Sequence, residues 1–403
     1  MRLSFLAIGS ELLSGHVLES NSNWIQKKLN GSELEVISTL CVVDEKEKIC
    51  EGLDFLKKSS DIILICGGLG PTDDDITREV VSEYCDEKLV FDDAAWEQVQ
   101  KAFKRRQRTA PVSNKKQAMR SQSAEVLENE KGTAPGFKMI NEGTELYSFP
   151  GVPVEFKHLA EKYLLPRFSV EYSPDQFKLY GIGESDLMDK VHTIGFIPEN
   201  FEWGTIASID GITIKFPVAS RKHADYETVL QGFEDALGEF IYTKSQLTPI
   251  ELLCSFLKDN KKTIATAESC TGGLFAAKIT EIPGSSSFIN GSVVAYQNEV
   301  KMNTLKVESE TLEKHGAVSE ECAIQMALGA LDKLNSNIAV SITGIAGPTG
   351  GTPEKPVGTV CMAIVDDTGK QTSKTFKFNG GRNEIRERSC TAIALLTYQF
   401  FSV

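Results

Sequence analysis

The sequence predicts an α/β chain of three domains, and three observations carry that expectation. Its 403 residues exceed one ordinary hydrophobic core. Short apolar runs such as DIILIC alternate with amphipathic stretches, the pattern of parallel strands covered by helices on both faces. Two polar, proline-bearing breaks interrupt the alternation: EYSPDQ near residue 170 and KSQLTP before Pro249. They place the domains at 1–168, 169–247 and 248–403.

The first domain opens with MRLSFLAIGSELLSG, which lacks a basic stretch with a cleavage site and reads as a core strand ending at Gly9. An amphipathic helix follows around Trp24, Ile25 and Leu29. LEVISTL is the next strand, and a helix lies near Ile49, Leu53 and Leu56. The strand DIILIC breaks at GGLGPTDDDITREVV, which opens another helix; ELYSF ends at PGVP before a helix through Phe156 and Leu164. In the middle domain FKLYGIG, SDLMDKV, GITIKFPVA and a segment through Phe233 and Leu237 read as strand, helix, strand, helix. The last domain begins with a helix around Leu252 and Phe256. The strand TIATA then runs into ESCTGG, which opens a helix, and FINGSVVAY is a strand. A helix capped by Ser319 carries Ala323, Met326, Ala327, Ala330 and Leu334 at helical spacing. NIAVSIT and TVCMAIV are strands, and a final helix starts after GGR.

Composition narrows the function classes. Hydrophobic residues make up 41% and charged residues 25%, as in a globular protein. The net charge of −13 gives no counterion-release term for a general nucleic-acid partner. The basic run KAFKRRQRTAPVSNKK around Arg105 reads as a solvated helix face, or as a cover for an anionic substrate. No apolar run approaches the roughly 20 residues that cross a bilayer. Nine cysteines without CxxC, several within apolar stretches (Cys41, Cys66, Cys254, Cys322, Cys361), suit a reducing cytoplasm. Five scattered histidines offer no zinc-ligand spacing.

TIATAESCTGGLFAAKIT is the most informative stretch. A strand stops, Ser269 sits at the turn, and Gly272 and Gly273 leave N–H groups unobstructed at a helix start. Such a turn serves a serine nucleophile beside an oxyanion site, although by itself it points more to phosphate binding than to catalysis. GSVVAYQNEVK brings Tyr296 and Lys301 past a strand end; a desolvated Lys301 could take a serine proton. SITGIAGPTGG offers Thr343, Gly344 and Gly347 in a loop able to wrap an anion. GGRNEIRERS supplies Arg382, Arg386 and Arg388, whose guanidinium forks suit phosphate.

TAESCTGG, PGSSSFINGSVVAYQNEVK, GAVSEE and TGIAGPTGGTPEKPVGTV strongly resemble the C-terminal domain of the CinA (competence/damage-inducible) family over nearly all of 248–403. There the domain is a nicotinamide-nucleotide amidase of the PncC type. The resemblance implies hydrolysis of nicotinamide mononucleotide to nicotinic acid mononucleotide and ammonia, without a cofactor. It implies Ser269 as nucleophile with Tyr296 and Lys301 assisting. Arg382 would complete the site, although the match does not choose among the three arginines. Thr271, Gly272, Gly273, Thr343, Gly344, Gly347 and Arg386 would bind substrate, and Cys270 would be a bystander.

GGLGPTDDDIT likewise ends a buried strand and opens a helix. Its glycines permit close approach to phosphate, and Asp73, Asp74 and Asp75 could hold a hard cation or cap the helix. Glu11 and Ser14 in GSELLSG, and Asn21 in ESNSNW, come from a neighbouring strand end in the same crevice. NEKGTAPGF and FPGVPVEF add turns that could close over a nucleotide. These segments resemble the molybdopterin-binding (MoaB/MogA-like) fold as it occurs in the CinA N-terminal domain, over about residues 1–165. In some members that domain is an ADP-ribose pyrophosphatase using a divalent metal (Mg, Mn or Co) and potassium. The match implies Asp74 and Asp75 as metal ligands, with Gly67, Gly68, Gly70, Thr72, Glu11 and Asn21 at the substrate. KKQAMRSQSA departs from the pattern, with Arg120 and Ser121 in place of an apolar-proline stretch, and reads as a lid.

The middle region, entered through GIGES at Gly181, resembles the small KH-type unit between the two CinA domains. It lacks a GxxG loop flanked by basic residues, so an interdomain or dimerisation role is expected rather than RNA binding. The whole reading is a cytoplasmic homodimeric enzyme of pyridine-nucleotide salvage, with no nucleic acid and no membrane as partner. Its rival is a non-catalytic pterin- or nucleotide-binding adaptor linked to competence or DNA damage.

Overall fold

The computed structural model describes residues 1–168 and 175–402. The chain divides into two compact units, Met1–Pro174 and Asp175–Val403. The expected boundary between 168 and 169, and most of EYSPDQ, lie outside the described residues.

The first unit is built on β1 (Arg2–Ile8), β2 (Glu35–Val42), β3 (Ile62–Cys66), β4 (Leu89–Phe91), β5 (Met119–Ser121), β6 (Glu125–Leu127), β7 (Gly136–Asn141) and β8 (Thr144–Phe149). Its helices are α1 (Ser10–Leu13), α2 (Asn21–Leu29), α3 (Lys46–Lys57), α4 (Thr77–Tyr84), α5 (Asp93–Arg105) and α6 (Pro153–Leu159). The main sheet runs β2-β1-β3-β8-β7-β6. Every residue of β3 is buried, as its continuous apolar run requires. α2 and α6 cover one face through Ile25, Phe156 and Leu159; α3 and α4 cover the other through Ile49, Leu53 and Val81.

Two features differ from the expectation. β2, β1, β3 and β8 pair in parallel, whereas β7 runs against both of its neighbours, β8 and β6. The reason is a two-residue hairpin turn, Glu142-Gly143, with φ of 48° and 89°, which reverses the chain between β7 and β8. KKQAMRSQSA is no lid: it forms a short 3-10 turn and β5, which pairs antiparallel with β4. Arg120 pins it there, donating to Asp92 at 2.6 Å and to the carbonyls of Ser121 and Gln122.

The second unit contains two sheets. The first comprises β9 (Asp175–Leu179), β10 (Gly204–Ser208), β11 (Gly211–Phe216) and β12 (Ile241–Thr243), in the order β10-β11-β9-β12 and wholly antiparallel. β10 and β12, short strands with little apolar patterning, are additions to the expected strand–helix–strand–helix. α7 (Glu184–Val191) and α8 (Tyr226–Leu237) pack on this sheet around Phe177, Phe216 and Phe233.

The second sheet comprises β13 (Ile264–Glu268), β14 (Ile289–Val294), β15 (Ile338–Gly344), β16 (Thr359–Asp366) and β17 (Gln371–Lys377), ordered β14-β13-β15-β16-β17. α9 (Pro249–Asp259), α10 (Leu274–Thr280) and α14 (Arg382–Ser402) cover one face. α11 (Asn298–Leu305), α12 (Ser309–His315) and α13 (Glu320–Leu334) cover the other. α9 starts with a capping box, Thr248 with Glu251, and Pro249 at its first position. Ser319 caps α13 as expected, accepting from Cys322 N. Asp210 accepts from Thr391 Oγ1 at 2.7 Å, and Lys178 donates to the carbonyls of Gln246 and Leu247, joining the two sheets.

Candidate functional site

The second unit brings Ser269, Lys301, Tyr296 and Arg382 into one neighbourhood. Ser269 follows β13, and its N–H donates to Ile342 O, so the sheet ladder fixes the residue at the strand end. Lys301, on α11, is 1% exposed. Its Nζ lies 3.1 Å from Ser269 Oγ, 2.7 Å from Ala295 O and 3.3 Å from Tyr296 O. Two of these partners are carbonyls that require an N–H. A neutral amine has two N–H groups and one lone pair, which leaves the lone pair for the serine hydroxyl. Burial pushes the Lys301 pKa below its ordinary value.

Glu268, which the sequence reading passed over, holds the turn from the other side. It is fully buried, and its carboxylate accepts from Phe275 N at 3.1 Å and Ala276 N at 2.9 Å, capping α10. A carboxylate closing an otherwise apolar strand, TIATAE, was the available signal. Gly272 N–H is closed onto Ser269 O, so it offers nothing to an oxyanion. Among the described residues, the N–H groups of Cys270, Thr271 and Gly273 have no backbone acceptor, and those of Thr271 and Gly273 flank the closed Gly272. The Thr271 side chain is fully buried with Oγ1 unpartnered, while its carbonyl takes two hydrogen bonds from Arg386.

The three arginines separate. Arg382 donates to Gly347 O at 2.7 Å and to the Tyr296 hydroxyl at 3.1 Å, joining the loop after β15 to the half-exposed tyrosine. Arg386 braces the nucleophile turn. The charge of Arg388 acts on Tyr180, just after β9, and among the described residues no hydrogen bond joins it to Ser269, Tyr296 or Lys301. Thr343 and Gly344 each have a structural task at the end of β15. The Thr343 hydroxyl donates to Ala317 O, and a Cβ at Gly344 would meet Thr359 O at 2.8 Å. Cys270 is buried and its thiol is pushed up to about 12, so it is no nucleophile at neutral pH.

In the first unit Glu11, Asn21, Gly67, Gly68, Gly70, Asp74 and Asp75 line one cavity of about 500 Å³. Thr72 is not on its wall. Gly67 and Gly68 have positive φ, and a Cβ would strike Ile8 O at 2.2 Å and Thr77 Oγ1 at 2.1 Å. Their first task is therefore to let the loop fold against its own domain. Asp75 serves the same loop, accepting from Gly70 N at 2.7 Å, Thr72 N at 2.9 Å and the Thr72 hydroxyl. Arg78, which the sequence reading did not single out, is buried and ties Leu69 O to Pro135 O. Asn21 donates Nδ2 to Gly151 O at 2.8 Å, and its Oδ1 has no partner.

Among the described residues no three His, Cys, Asp or Glu side chains form a metal cluster. With Asp75 committed to the loop, exposed Asp74, whose carboxyl a hydrogen bond from Thr72 holds below its ordinary range, is the more open carboxylate of the pair. That donor set fits a hard cation arriving with a phosphate ligand, which supplies the remaining oxygens, better than a resident ion.

Two family models match the chain: the CinA C-terminal domain over residues 248–400, and a probable molybdopterin binding domain over residues 4–169. A CinA-like protein of Fervidobacterium nodosum is 38% identical over 390 residues, covering 95% of this chain and 94% of that one. The chain belongs to the CinA family. A second CinA-like protein, from Dictyoglomus thermophilum, is 35% identical over 396 residues, covering 96% of each chain. The crystal structure of the competence/damage inducible protein CihA from Agrobacterium tumefaciens is 39% identical with a TM-score of 0.37, covering 40% of this CinA chain and 100% of that one. No helix among the described residues is long and apolar enough to cross a membrane.

Proposed function

We propose that the C-terminal domain of this CinA-family protein deamidates nicotinamide mononucleotide to nicotinic acid mononucleotide and ammonia. One observation carries the reading: a buried lysine nitrogen, within hydrogen-bond reach of two backbone carbonyls and with no carboxylate beside it among the described residues, lies 3.1 Å from the hydroxyl of Ser269. Lys301 takes the Ser269 proton as Oγ attacks the carboxamide carbon. The N–H groups of Thr271 and Gly273 receive the oxyanion. Lys301 returns the proton to the leaving nitrogen, ammonia departs, and water resolves the acyl-enzyme. Arg382 and Tyr296 stand at the open side, where a nucleotide phosphate would be met by the guanidinium fork.

In the same reading the N-terminal cavity takes ADP-ribose and hydrolyses its pyrophosphate with a divalent cation and potassium, Asp74 supplying a carboxylate to the cation. The cation would neutralise phosphate charge and polarise phosphorus. A binding-only adaptor role has one observation in its favour, since the loop glycines and Asp75 are explained by the loop's own folding. The protein is taken as a cytoplasmic homodimer acting on small nucleotides.

The test is ammonia release from nicotinamide mononucleotide by the intact protein beside Ser269→Ala. Loss of turnover in the variant supports the reading. Turnover that survives removes the serine mechanism, and an inert intact protein removes the amidase reading altogether.

A further inference from the structure

Glu155 stands on the wall of the N-terminal cavity, in the first turn of α6 behind the turn FPGVP. The other carboxylates there have duties elsewhere or face solvent. Asp75 holds the glycine loop, Asp44 accepts from Ser10 N, and Glu19 caps the start of α2 through the N–H groups of Asn21 and Ser22. Glu11 and Asp74 are exposed. Glu155 is partly buried and half-satisfied, and unlike Asp44 it is held by a fully buried side chain: Oε2 accepts from Asn129 Nδ2 at 2.6 Å, and no described residue donates to Oε1.

The chain around Glu155 is built to hold it. Asn129 is fully buried; its Oδ1 accepts from Lys131 N and Gly132 N, and its Nδ2 also reaches Ala134 O. The loop presses so close that a Cβ at Gly132 would fall 1.8 Å from Glu155 Oε2. Across the cavity Asn21, 5% exposed, leaves Oδ1 without a partner, an independent sign that the space takes a ligand. Among the described residues no lysine, arginine or histidine lines the cavity.

We infer that Glu155 is the proton-accepting residue of this cavity, taking a proton from the water that attacks a phosphoanhydride. The inference rests on the pyrophosphatase reading above. The water oxygen bonds to one phosphorus as the bridging P–O bond breaks, and the bridging electron pair leaves with the other phosphate. The water proton passes to Glu155 and then to solvent. Two phosphate monoesters result and nothing is oxidised. Burial raises the Glu155 pKa, while Asn129 and the Arg106 charge at the end of α5 oppose the rise. A carboxylate so placed is a better base than an exposed one, and Glu11, Glu19, Asp44, Asp74 and Asp75 are the acidic groups sharing its cavity.

The experiment measures ADP-ribose hydrolysis by the full chain with Mg²⁺ over a pH series, beside Glu155→Gln and Glu155→Asp. Ammonia release by the C-terminal domain and metal-free calorimetric binding of ADP-ribose are followed in parallel. The expected result for Glu155→Gln is a kcat lowered by about 100-fold or more, as loss of a general base gives. Its KM and its metal-free affinity stay within about threefold, and the acidic limb disappears from its residual pH profile. Glu155→Asp keeps the limb with a kcat lowered at least about tenfold, and decides the matter if the Gln variant does not fold. Wild-type kcat with an intact limb in either variant, or lost binding in Glu155→Gln, overturns the inference alone. No ADP-ribose hydrolysis by a wild-type protein that still releases ammonia overturns the pyrophosphatase reading and this inference with it.

Discussion

Lys301 shows how a single residue can be costly to fold and useful for that reason. An ammonium buried without a counter-charge is penalised by desolvation, which lowers its pKa and favours the amine. Because the folded pKa lies below the unfolded one, the unfolded chain binds more protons between the two values. Stability therefore rises with pH through that window, and the full penalty is present below it. Lys301→Met removes the penalty and roughly preserves volume, so at neutral pH the variant should melt no lower than the parent in a thermal scan. Its ammonia release should fall by about 100-fold or more, the usual effect of losing a general base. In the parent enzyme kcat/KM should rise with pH through a pKa below that of free lysine; a limb at the ordinary lysine value would contradict the assignment. Cys270→Ser should leave turnover unchanged in the same assay, because the buried thiol stays protonated near neutral pH.

At the scale of an element, the turn between β13 and α10 is held by residues outside it. Glu268 caps the helix from beneath, and Arg386 of α14 grips Thr271 O. Glu268→Gln presents an NH₂ group to one of two N–H donors, leaving a buried donor unpaired. A loss of about 1–3 kcal/mol in denaturant unfolding is expected for such a group. Ammonia release should fall with it, as Thr271 and Gly273 lose their fixed aim. Gly344→Ala should cost about 1–3 kcal/mol by overpacking against β16, measured the same way. The strands and most of the helices around this turn were legible in the apolar runs and caps. β17, whose burial alternates weakly, was not, nor was the Glu142-Gly143 hairpin that sets β7 antiparallel to β8 in the first sheet. Short strands carry little periodic signal, and their direction depends on which turn geometry the chain adopts.

For the whole molecule, the proposed activities lie in separate compact units and draw on different chemistry. A chelator should abolish ADP-ribose hydrolysis while leaving ammonia release within about twofold, since serine–lysine catalysis needs no cation; parallel assays on one preparation check this. Equal loss of both activities would mean that the units are coupled. The sequence by itself determined the α/β class, the CinA membership and the company of Ser269, Tyr296 and Lys301, because long contiguous motifs survive without tertiary information. Only the tertiary structure decided that Arg382, and not Arg388, joins Tyr296, that Gly272 is closed within its turn, and that Asp75 is spent on its own loop. It also raised Glu268 and Glu155 from unmarked acids to residues with assigned partners. Those outcomes depend on burial and on which hydrogen-bond partners lie within about 3 Å, and neither is fixed by neighbours in the chain.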